Sequence, residues 1–456
     1  MTIWTPEISH RHGPKYKAIA DALAEDVRSG VLSAGARLPT QRHLAGHLGV
    51  ALTTVTRAYT EAERRLLVTG VVGRGTFVRS RAAALSGQEE TANRAIDLRP
   101  NVLMPWDHAP ALADSLSRIM ARSDPYTMLD YQPMGGSLLQ RAAGATWARR
   151  AGLDIPDEGV VITSGAQHAI LVSLATLTQA NDLILAEELT YGGLKSAASF
   201  LDLRIRGVAM DEEGIRPAAL DEACAREQPK ALFCSATLQN PTSALMSPRR
   251  RMEIAEVARR HGVPIVEDDS YGFLQPHLQP LACFAADAFY ICSASKSLAA
   301  GLRIAYVIPP PDMVDRLTAN VCSTTYMAAP ALADVVAAWL ADGTADQIME
   351  WKRVESAARQ AMATRVLSRY GYTGHPSAHH GWLTLPEPWT TVDFVAQAGM
   401  RGVLVPPADD FQTGRERLHA VRLSLGPPAS RDILEKGLIC LSEILAESPE
   451  PRGTVV

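Results

Sequence analysis

The sequence predicts a multidomain protein in which a small helical unit with a β-hairpin precedes a large α/β unit. The chain has 456 residues, about three times the length of a typical single domain. Its first 80 residues carry short amphipathic helices at the spacing of two helices joined by a tight turn. After them, short apolar strands alternate with helices, which is typical of a mostly parallel sheet covered by helices.

The charge distribution and the cysteine spacing indicate which partners and which kinds of site the chain can have. Residues 1–80 contain eleven Lys and Arg against six Asp and Glu, a balance of +5, although the whole chain carries −4. This favours a polyanionic partner, with an ordinary solvated surface as the alternative. The six cysteines have neither CxxC nor Cys/His spacing, so we expect no disulfide framework and no metal site. The sequence has no leader-like start and no apolar run of 18 residues, which predicts a cytoplasmic protein without membrane spans.

The N-terminal unit, here called the head, is predicted to span residues 11–80. Apolar residues recur every four positions over residues 16–29 and predict a first helix. A second helix begins after Thr40, whose hydroxyl is a suitable N-cap, and ends at Gly49. A tight turn follows, so the spacing is that of a helix-turn-helix.

A third helix is predicted over residues 52–65. Its outward face carries the polar side chains of Thr53, Thr54, Thr56 and Arg57. Residues 66–78 are strand-like with a break at Gly70, and Gly73-Arg74-Gly75 has the composition of a hairpin tip with one cation. This hairpin would form a wing beside the helices.

Residues 38–45, 48–50 and 73–78 together resemble the GntR-type winged helix-turn-helix. The resemblance implies binding to double-stranded DNA through Arg42, Thr53, Thr54, Thr56 and Arg57, with Gly73 and Arg74 reaching the minor groove. Most of these contacts would be to phosphates, which position the head without reading the base sequence. Ala51-Leu52 stands where family members often carry Ser/Thr-Arg, so the operator does not follow from the resemblance. A small helical bundle with a hairpin and no DNA is the alternative.

A larger unit, here called the body, is predicted over residues 96–446, behind a linker of small and polar residues over 81–95. Apolar strands are predicted at 160–163, 183–186, 231–234, 264–266, 289–292 and 305–308, and helices at 165–179 and 248–261. Ligands of such sheets bind at the carboxyl ends of the strands, where the polar motifs of this chain lie.

Lys296, in the stretch Ser-Ala-Ser-Lys-Ser over residues 293–297, is the most informative residue of the body. The chain has only seven lysines among its 45 basic residues, and only a lysine can form a Schiff base. Nearby, Arg303 can pair with a phosphate while Ser293 and Ser295 donate hydrogen bonds to it. These groups suggest pyridoxal phosphate, and a solvated lysine in a small-residue loop is the alternative.

Three further motifs follow predicted strands. Ser164-Gly165-Ala166-Gln167 opens a helix whose free N–H groups suit a phosphate. Tyr191 could stack on a pyridine ring, with core packing as the alternative. Asn240, in Asn240-Pro241-Thr242, could donate a hydrogen bond to the phenolic oxygen of the cofactor, with a simple Asn-Pro turn as the alternative.

Three consecutive acids end another predicted strand, in the stretch Glu267-Asp268-Asp269-Ser270-Tyr271. Buried acids are costly without a cation, and a protonated pyridine nitrogen would supply one. Tyr271 could then hydrogen-bond the phenolic oxygen. Binding of a divalent metal by the acids is the alternative.

The body resembles the fold-type I aminotransferases. The motifs are Tyr131 with Gly135-Gly136, Asn240-Pro241-Thr242, Asp268 with Tyr271, Ser293-x-x-Lys296 with Arg303, and Arg422-Leu-Ser. The resemblance implies a large, mostly parallel sheet and a small C-terminal α+β subdomain. Ala300 and Ser243 depart from the pattern without removing a chemical group.

The same resemblance implies a role for each motif. Lys296 would form a Schiff base (aldimine) with pyridoxal 5'-phosphate, and Asp268 would pair with its ring nitrogen. Asn240 and Tyr271 would bind the phenolic oxygen, and Arg422 would bind a substrate carboxylate. The phosphate would be held by Gly165, Ala166, Gln167, Ser293, Ser295 and Arg303, with Tyr131 reaching across from the partner subunit.

From end to end, the chain resembles the MocR-type transcription regulators. We therefore expect a DNA-binding regulator that senses an amino acid or amine at the Lys296 aldimine and forms a homodimer, typically arranged head-to-tail. A working aminotransferase that carries a DNA-binding head is the rival interpretation. Pyridoxal phosphate itself as the signal also stays open.

Overall fold

The computed structural model divides into two compact units, residues 1–94 and 95–456. Its described residues are 4–8, 13–29, 31–32, 35–65, 67–71, 75–78, 95–103, 108–122, 128–414 and 418–447. The predicted tip of the wing, Gly73-Arg74, and the predicted linker up to residue 94 lie outside the described residues. The domain limits proposed from the sequence therefore stay predictions.

The head is built from three helices and one hairpin. They are α1 (Lys15–Arg28), α2 (Gln41–Leu48), α3 (Leu52–Arg64), β1 (Val68–Val71) and β2 (Gly75–Val78). The hydroxyl of Thr40 accepts a hydrogen bond from the His43 amide at 3.3 Å and starts α2. Gly49 ends α2 in the left-handed region, at φ 60°. Gly70 does not break the strand as predicted, because it lies within β1 and pairs with Thr76 in an antiparallel ladder.

The apolar stripes of the helices meet in a core of their own. Ile19, Leu23, Leu44, Val55 and Ala58 are among its fully or nearly fully buried members. The face of α3 turned away from this core exposes Thr53, Thr56 and Arg57, with Thr54 half-buried. Arg42 is exposed on α2. The surface that the sequence predicts to meet DNA is thus available to a ligand.

The body contains twelve α-helices and fourteen strands among its described residues. The helices are α4 (Ala109–Arg122), α5 (Leu138–Arg150), α6 (Ala166–Leu177), α7 (Gly192–Phe200), α8 (Pro217–Glu227), α9 (Pro248–His261), α10 (Ala294–Ser297), α11 (Val314–Thr325), α12 (Pro330–Asp342), α13 (Thr344–Leu367), α14 (Thr391–Met400) and α15 (Arg431–Ala446). The strands are β3 (Ile96–Asp97), β4 (Val161–Thr163), β5 (Leu183–Glu187), β6 (Arg204–Val208), β7 (Met210–Asp211), β8 (Gly214–Ile215), β9 (Ala231–Cys234), β10 (Ile265–Asp268), β11 (Ala288–Ser293), β12 (Ala305–Ile308), β13 (Tyr372–Thr373), β14 (His380–Thr384), β15 (Val403–Leu404) and β16 (Ala420–Ser424).

A seven-stranded sheet in the order β4-β12-β11-β10-β9-β5-β6 confirms the predicted fold class. The neighbours from β11 to β6 run parallel, and β12 is antiparallel to both of its neighbours. Helices cover both faces, so the central strands are buried throughout, which explains their unbroken apolar runs. The predicted strands at 231–234 and 305–308 have the predicted limits.

A second, smaller core lies at the C-terminus around the antiparallel sheet β13-β14-β16. Helix α13 joins the two cores. Its N-terminal part contributes Ile348 and Met349 to the core of the large sheet. Its C-terminal part contributes Ala363 and Leu367 to the smaller core. Within the described part of the chain, no helix combines the length and the apolar character that a membrane crossing requires.

Candidate functional site

Lys296 lies on α10, a single helical turn directly after β11. The turn is held by Ser293, whose hydroxyl accepts from the Ser295 amide at 3.2 Å. Nζ of Lys296 donates to the backbone oxygen of Asn101. Burial, together with the positive charges of Arg422 and Arg303, lowers the pKa of Lys296 to about 8, although the charge of Asp268 opposes the shift. More of this amine is therefore in its neutral, nucleophilic form near neutral pH than an exposed lysine would allow.

Asp268 ends β10 with its carboxyl group buried. One carboxylate oxygen accepts from the amide of Ser270 at 3.1 Å and from its hydroxyl at 2.5 Å. Burial raises the pKa of Asp268, and the hydrogen bonds from Ser270 and the charge of Lys296 oppose that rise. A cationic ring nitrogen next to this carboxylate would offset the cost of burying its charge.

The two acids that flank Asp268 have partners within the protein. Glu267 accepts from the backbone amides of Leu281 and Ala282 at 2.9 and 2.7 Å. It also lies 3.7 Å from the guanidinium of Arg251, which is fully buried. Asp269 accepts from the Tyr290 hydroxyl at 2.9 Å. The protein supplies its own cation to this cluster, so only Asp268 is left to face Lys296.

Arg303, Ser295 and Gly165 lie together at the N-terminus of α6. Arg303 donates to the Ser295 hydroxyl at 3.1 Å and to the Ser164 carbonyl at 3.4 Å. Gly165 has φ +91°, and a Cβ atom built on it would lie 2.6 Å from Nη2 of Arg303. The glycine therefore leaves the room that the guanidinium fills. Hydroxyl, guanidinium and free helix N–H groups converge here and suit a phosphate.

Ala166 and Gln167 occupy the first turn of α6. Gln167 donates through Nε2 to the Gly193 carbonyl at 2.8 Å, and its Oε1 is buried without a partner. Tyr191 immediately precedes α7 and is half-buried. Its pKa is raised by burial and, to a smaller extent, by the charge of Asp268.

Arg422, on β16, is buried between the two parts of the body. It donates through Nη1 to Oδ1 of Asn240 at 3.0 Å and through Nη2 to the Arg99 carbonyl. Its guanidinium lies 4.7 Å from the ring centre of Phe411, while Nε is buried without a partner. Burial lowers the pKa of Arg422 to about 10. A buried guanidinium whose hydrogen-bond acceptors are an amide oxygen and a backbone oxygen suits an anionic ligand group.

Sequence reasoning missed Asn101, which reaches the site from the loop after β3. Its Nδ2 donates to the Tyr271 hydroxyl at 2.8 Å, and its Oδ1 accepts from Ser424 at 3.4 Å. Its backbone oxygen is the acceptor for Lys296. Because Asn101 follows a two-residue strand and belongs to no motif, the sequence carries no signal for it.

Two histidines and a second lysine were also missed. The rings of His379 and His380 lie 4.9 and 5.5 Å from that of Tyr271. Both histidines are buried, and Nε2 of His380 lies 2.9 Å from the Gln239 carbonyl. Lys352 is buried on α13 and donates to the backbone of the Lys296 turn. The pair His379-His380 is a visible sequence signal, whereas a lone lysine in a charged helix is not.

Tyr131 is not gathered with these residues. It is 75% exposed, and its ring lies 4.8 Å from that of Tyr326. The predicted DNA-contacting residues belong to the separate N-terminal unit. In the described ranges, no group of three or more His, Cys, Asp or Glu side chains is arranged to hold a metal ion.

The chemistry of the gathered groups fits pyridoxal phosphate. Lys296 offers an amine to an aldehyde, and Asp268 offers a carboxylate to a ring nitrogen. Arg303 and Ser295, together with the N-terminus of α6, offer donors to a phosphate. The partnerless Nε of Arg422 can still donate to a ligand. The individual residue roles stay predictions.

Comparisons with known proteins agree with this geometry. Residues 104–412 match the family model "Aminotransferase class I and II", and residues 15–78 match "Bacterial regulatory proteins, gntR family". The chain is similar to the uncharacterized HTH-type transcriptional regulator YdeF of Bacillus subtilis, at 31% identity over 97% of this chain and 96% of that protein. It is also similar to the HTH-type transcriptional regulator TauR of Rhodobacter capsulatus, at 26% identity over 89% and 92% of the two chains.

The solved structures share the fold of the body. The crystal structure of LysN, the alpha-aminoadipate aminotransferase from Thermus thermophilus, superimposes with a TM-score of 0.71 at 23% identity. It covers 77% of this chain and 92% of that one. That crystal structure is a complex with N-(5'-phosphopyridoxyl)-L-leucine.

Proposed function

The chain belongs to the class I and II aminotransferase family and carries a gntR-family head, the layout of the MocR-type regulators, so we propose that it is a pyridoxal phosphate-dependent, DNA-binding transcription regulator. It would sense an amino acid or amine at Lys296. The observation that carries the proposal is the joint presence, in one chain, of an exposed helix-turn-helix face and a buried amine beside Asp268. Regulation by an effector requires both the DNA-binding face and the effector site.

The site residues would act on the cofactor and the effector as follows. Pyridoxal phosphate, when bound, supplies an aldehyde that reacts with primary amines and a ring that withdraws electrons. Lys296 would hold it covalently, and Asp268 would keep a proton on its ring nitrogen. The phosphate would be held by Gly165, Ala166, Gln167, Ser293, Ser295 and Arg303, and the phenolic oxygen by Asn240 and Tyr271. Tyr191 would stack on the ring.

Arg422 favours an effector with a carboxylate. Its present acceptors are an amide oxygen and a backbone oxygen, both neutral. A carboxylate would form stronger, charge-assisted bonds with the same guanidinium. An effector amine that replaces Lys296 would leave this lysine free, and the resulting change in contacts can shift the conformation of the body. The shift is limited to the difference in effector affinity between two states, commonly about 1–3 kcal/mol.

We further propose a homodimer, arranged head-to-tail, in which Tyr131 of the partner subunit completes each site. The exposure of Tyr131 and of its neighbours Leu129, Leu138 and Leu139 supports this, because large apolar side chains on one surface favour burial against a partner. Two heads would bind two operator half-sites about one helical turn, or a multiple of it, apart. A regulator acts where the DNA is, so we propose a cytoplasmic location.

A working aminotransferase is the second candidate function. The lowered pKa of Lys296 favours it, because this amine could move the proton at the α-carbon of a substrate. Transamination alongside regulation is compatible with the first proposal, since both use the same groups.

The deciding experiment follows the visible absorbance of the cofactor-loaded protein during addition of a panel of amino acids and amines. An effector that shifts the band, leaves it in place and changes the affinity for operator DNA supports the regulator. Bleaching with release of a 2-oxo acid, without any effect on DNA binding, would put the aminotransferase first. Lys296→Ala is the control and should respond to no ligand. If it kept the full response, Lys296 would not be the sensing group.

A further inference from the structure

Lys352 contacts the main chain of Lys296 directly. Its Nζ donates to the Lys296 carbonyl at 2.9 Å and to the Leu298 carbonyl at 2.5 Å. Both carbonyls belong to the turn that carries Lys296, and Lys352 comes from α13, 56 residues further along the chain. Lys352 is 3% exposed, which is rare for a lysine without a carboxylate partner. The two carbonyls are thus the groups that keep this amine in the interior.

Helix α13 connects this contact to both cores of the body. Because the helix contributes side chains to both cores of the body, a movement between those cores would displace its contacts with at least one of them. Lys352 lies at the junction, four residues after Ile348 of the first core and eleven before Ala363 of the second. A change at Lys296 is therefore linked, through two hydrogen bonds, to the element that joins the cores.

We propose that Lys352 is a positioning residue that ties the main chain of Lys296 to α13, so that the reactivity of Lys296 depends on the charge that α13 places beneath its turn. This rests on the proposed function in one respect, namely that Lys296 is the group that reacts with the cofactor. It adds a residue that none of the predicted motifs contains.

The charges around Lys352 fit a tether that responds to pH. The facing groups are Lys296 on α10 and, before β14, His379, whose two ring nitrogens are buried without partners. His108, just before α4, also faces Lys352, because its Nε2 lies 3.0 Å from the Leu298 carbonyl that Lys352 contacts. On its own helix, Glu355 pairs with Arg359 and Arg431 at 2.6 and 2.7 Å. Burial, and to a smaller extent the charge of Lys296, lowers the pKa of Lys352 to about 7. A protonated Lys352 makes charge-assisted bonds to the turn and disfavours a proton on Lys296, and the neutral amine does neither.

The test measures the reactivity of Lys296 in the cofactor-free protein. Reductive methylation with formaldehyde and cyanoborohydride, read out by peptide mass spectrometry at pH 6 and pH 9, needs neither DNA nor effector. At pH 6, Lys352→Met should label Lys296 about threefold to tenfold more slowly than wild type, because the loss of the neighbouring charge favours the protonated, unreactive amine. At pH 9, where Lys352 is already neutral, the two proteins should react equally. Lys352→Arg should retain the wild-type rate at pH 6.

Two further variants control for the loss of any lysine and for a failure to fold. Lys436→Met, at an exposed lysine of α15, should behave as wild type at both pH values. Lys352→Gln is the second uncharged variant if the methionine protein does not fold. Equal rates of Lys352→Met and wild type at pH 6, or the same difference at both pH values, would overturn the proposal. A wild-type protein that fails to bind pyridoxal phosphate would instead overturn the proposed function, and the labelling would still report on Lys352.

Discussion

Asn101 connects three groups of the site and is the first residue to test. Its side-chain amide donates a hydrogen bond to the hydroxyl of Tyr271. Tyr271 is only 5% exposed, so this hydrogen bond is buried. Removal of either partner should lower the free energy of unfolding by about 1–2 kcal/mol, as expected for a buried hydrogen bond. Asn101→Ala combined with Tyr271→Phe should cost little more than Asn101→Ala alone, because Asn101→Ala already removes the bond to Tyr271 as well as the one from Ser424. Denaturant unfolding of the cofactor-free proteins measures this, and strictly additive losses would contradict the contact.

His380 makes the stability of the body depend on pH. Burial lowers its pKa from the usual 6.5 to about 3, so the folded protein keeps this imidazole neutral while the unfolded chain takes up a proton below pH 6.5. Its contribution to stability is complete above pH 6.5 and is lost as the pH falls towards 3. Between pH 7 and pH 5, wild type should lose about 2 kcal/mol more than His380→Gln.

The comparison with His380→Gln isolates the histidine. Glutamine can still donate to the Gln239 carbonyl, so the local hydrogen bond is kept. Glu187, whose pKa burial raises to about 7, changes stability in the opposite direction but does so in both proteins. Denaturant unfolding at the two pH values is the measurement, and parallel pH profiles would show that His380 takes up its proton in the folded state.

At the scale of elements, the N-terminus of α6 depends on Gly165. A methyl group at this position would displace the guanidinium of Arg303 and strain a backbone with φ +91°. Gly165→Ala should raise the dissociation constant of pyridoxal phosphate by about tenfold or more, because a charge-assisted bond to the phosphate is lost. Gly262→Ala is the matched control, since its φ is +63° and nothing lies within 4 Å of its added Cβ. If both variants weakened cofactor binding equally, general destabilisation of the fold rather than displacement of Arg303 would be the cause.

The helix-turn-helix predicts a salt-dependent affinity for DNA. Arg42 is exposed on α2, and Arg42→Gln should weaken binding to all sequences alike and reduce the slope of log affinity against log salt by about 1. Arg64→Gln on α3 serves as the control, because the guanidinium of Arg64 is already bound to Glu61 at 2.8 Å. Fluorescence anisotropy over a salt series measures the affinity and its slope for both variants. Equal slopes for Arg42→Gln and wild type would remove Arg42 from the phosphate contacts.

The strands that the sequence predicted and the strand that it missed differ in how much of their surface is buried. Central strands are covered on both faces and have apolar runs, so their existence was predictable, and the motifs after them had to converge. The edge strand β6 exposes Arg204 and Arg206 and has no such run, so it was missed. Asn101 and Lys352 were missed because their contacts with Lys296 span 195 and 56 residues and follow from the packing of the whole body.

At the scale of the whole molecule, the proposed dimer builds each site from residues of two chains. The described chain gathers Lys296, Asp268 and Arg422 around one site but leaves Tyr131 on the surface against Tyr326. In the proposed dimer, a second copy of the chain would bring the hydroxyl of Tyr131 to the predicted phosphate position. Tyr131 would then affect cofactor binding without being near Lys296 of its own chain.

Mixed dimers test this arrangement. Tyr131→Ala should bind pyridoxal phosphate weakly, and Lys296→Ala should form no covalent link with it. In an equal mixture that has exchanged subunits, about half of the dimers contain one chain of each kind, by random pairing. In each mixed dimer, Lys296 of one chain meets Tyr131 of the other, so about half of the Lys296-bearing sites should regain wild-type cofactor affinity. Absorbance titration of the mixture would then show a tight and a weak phase, whereas weak binding alone would mean that Tyr131 serves its own chain or no site at all.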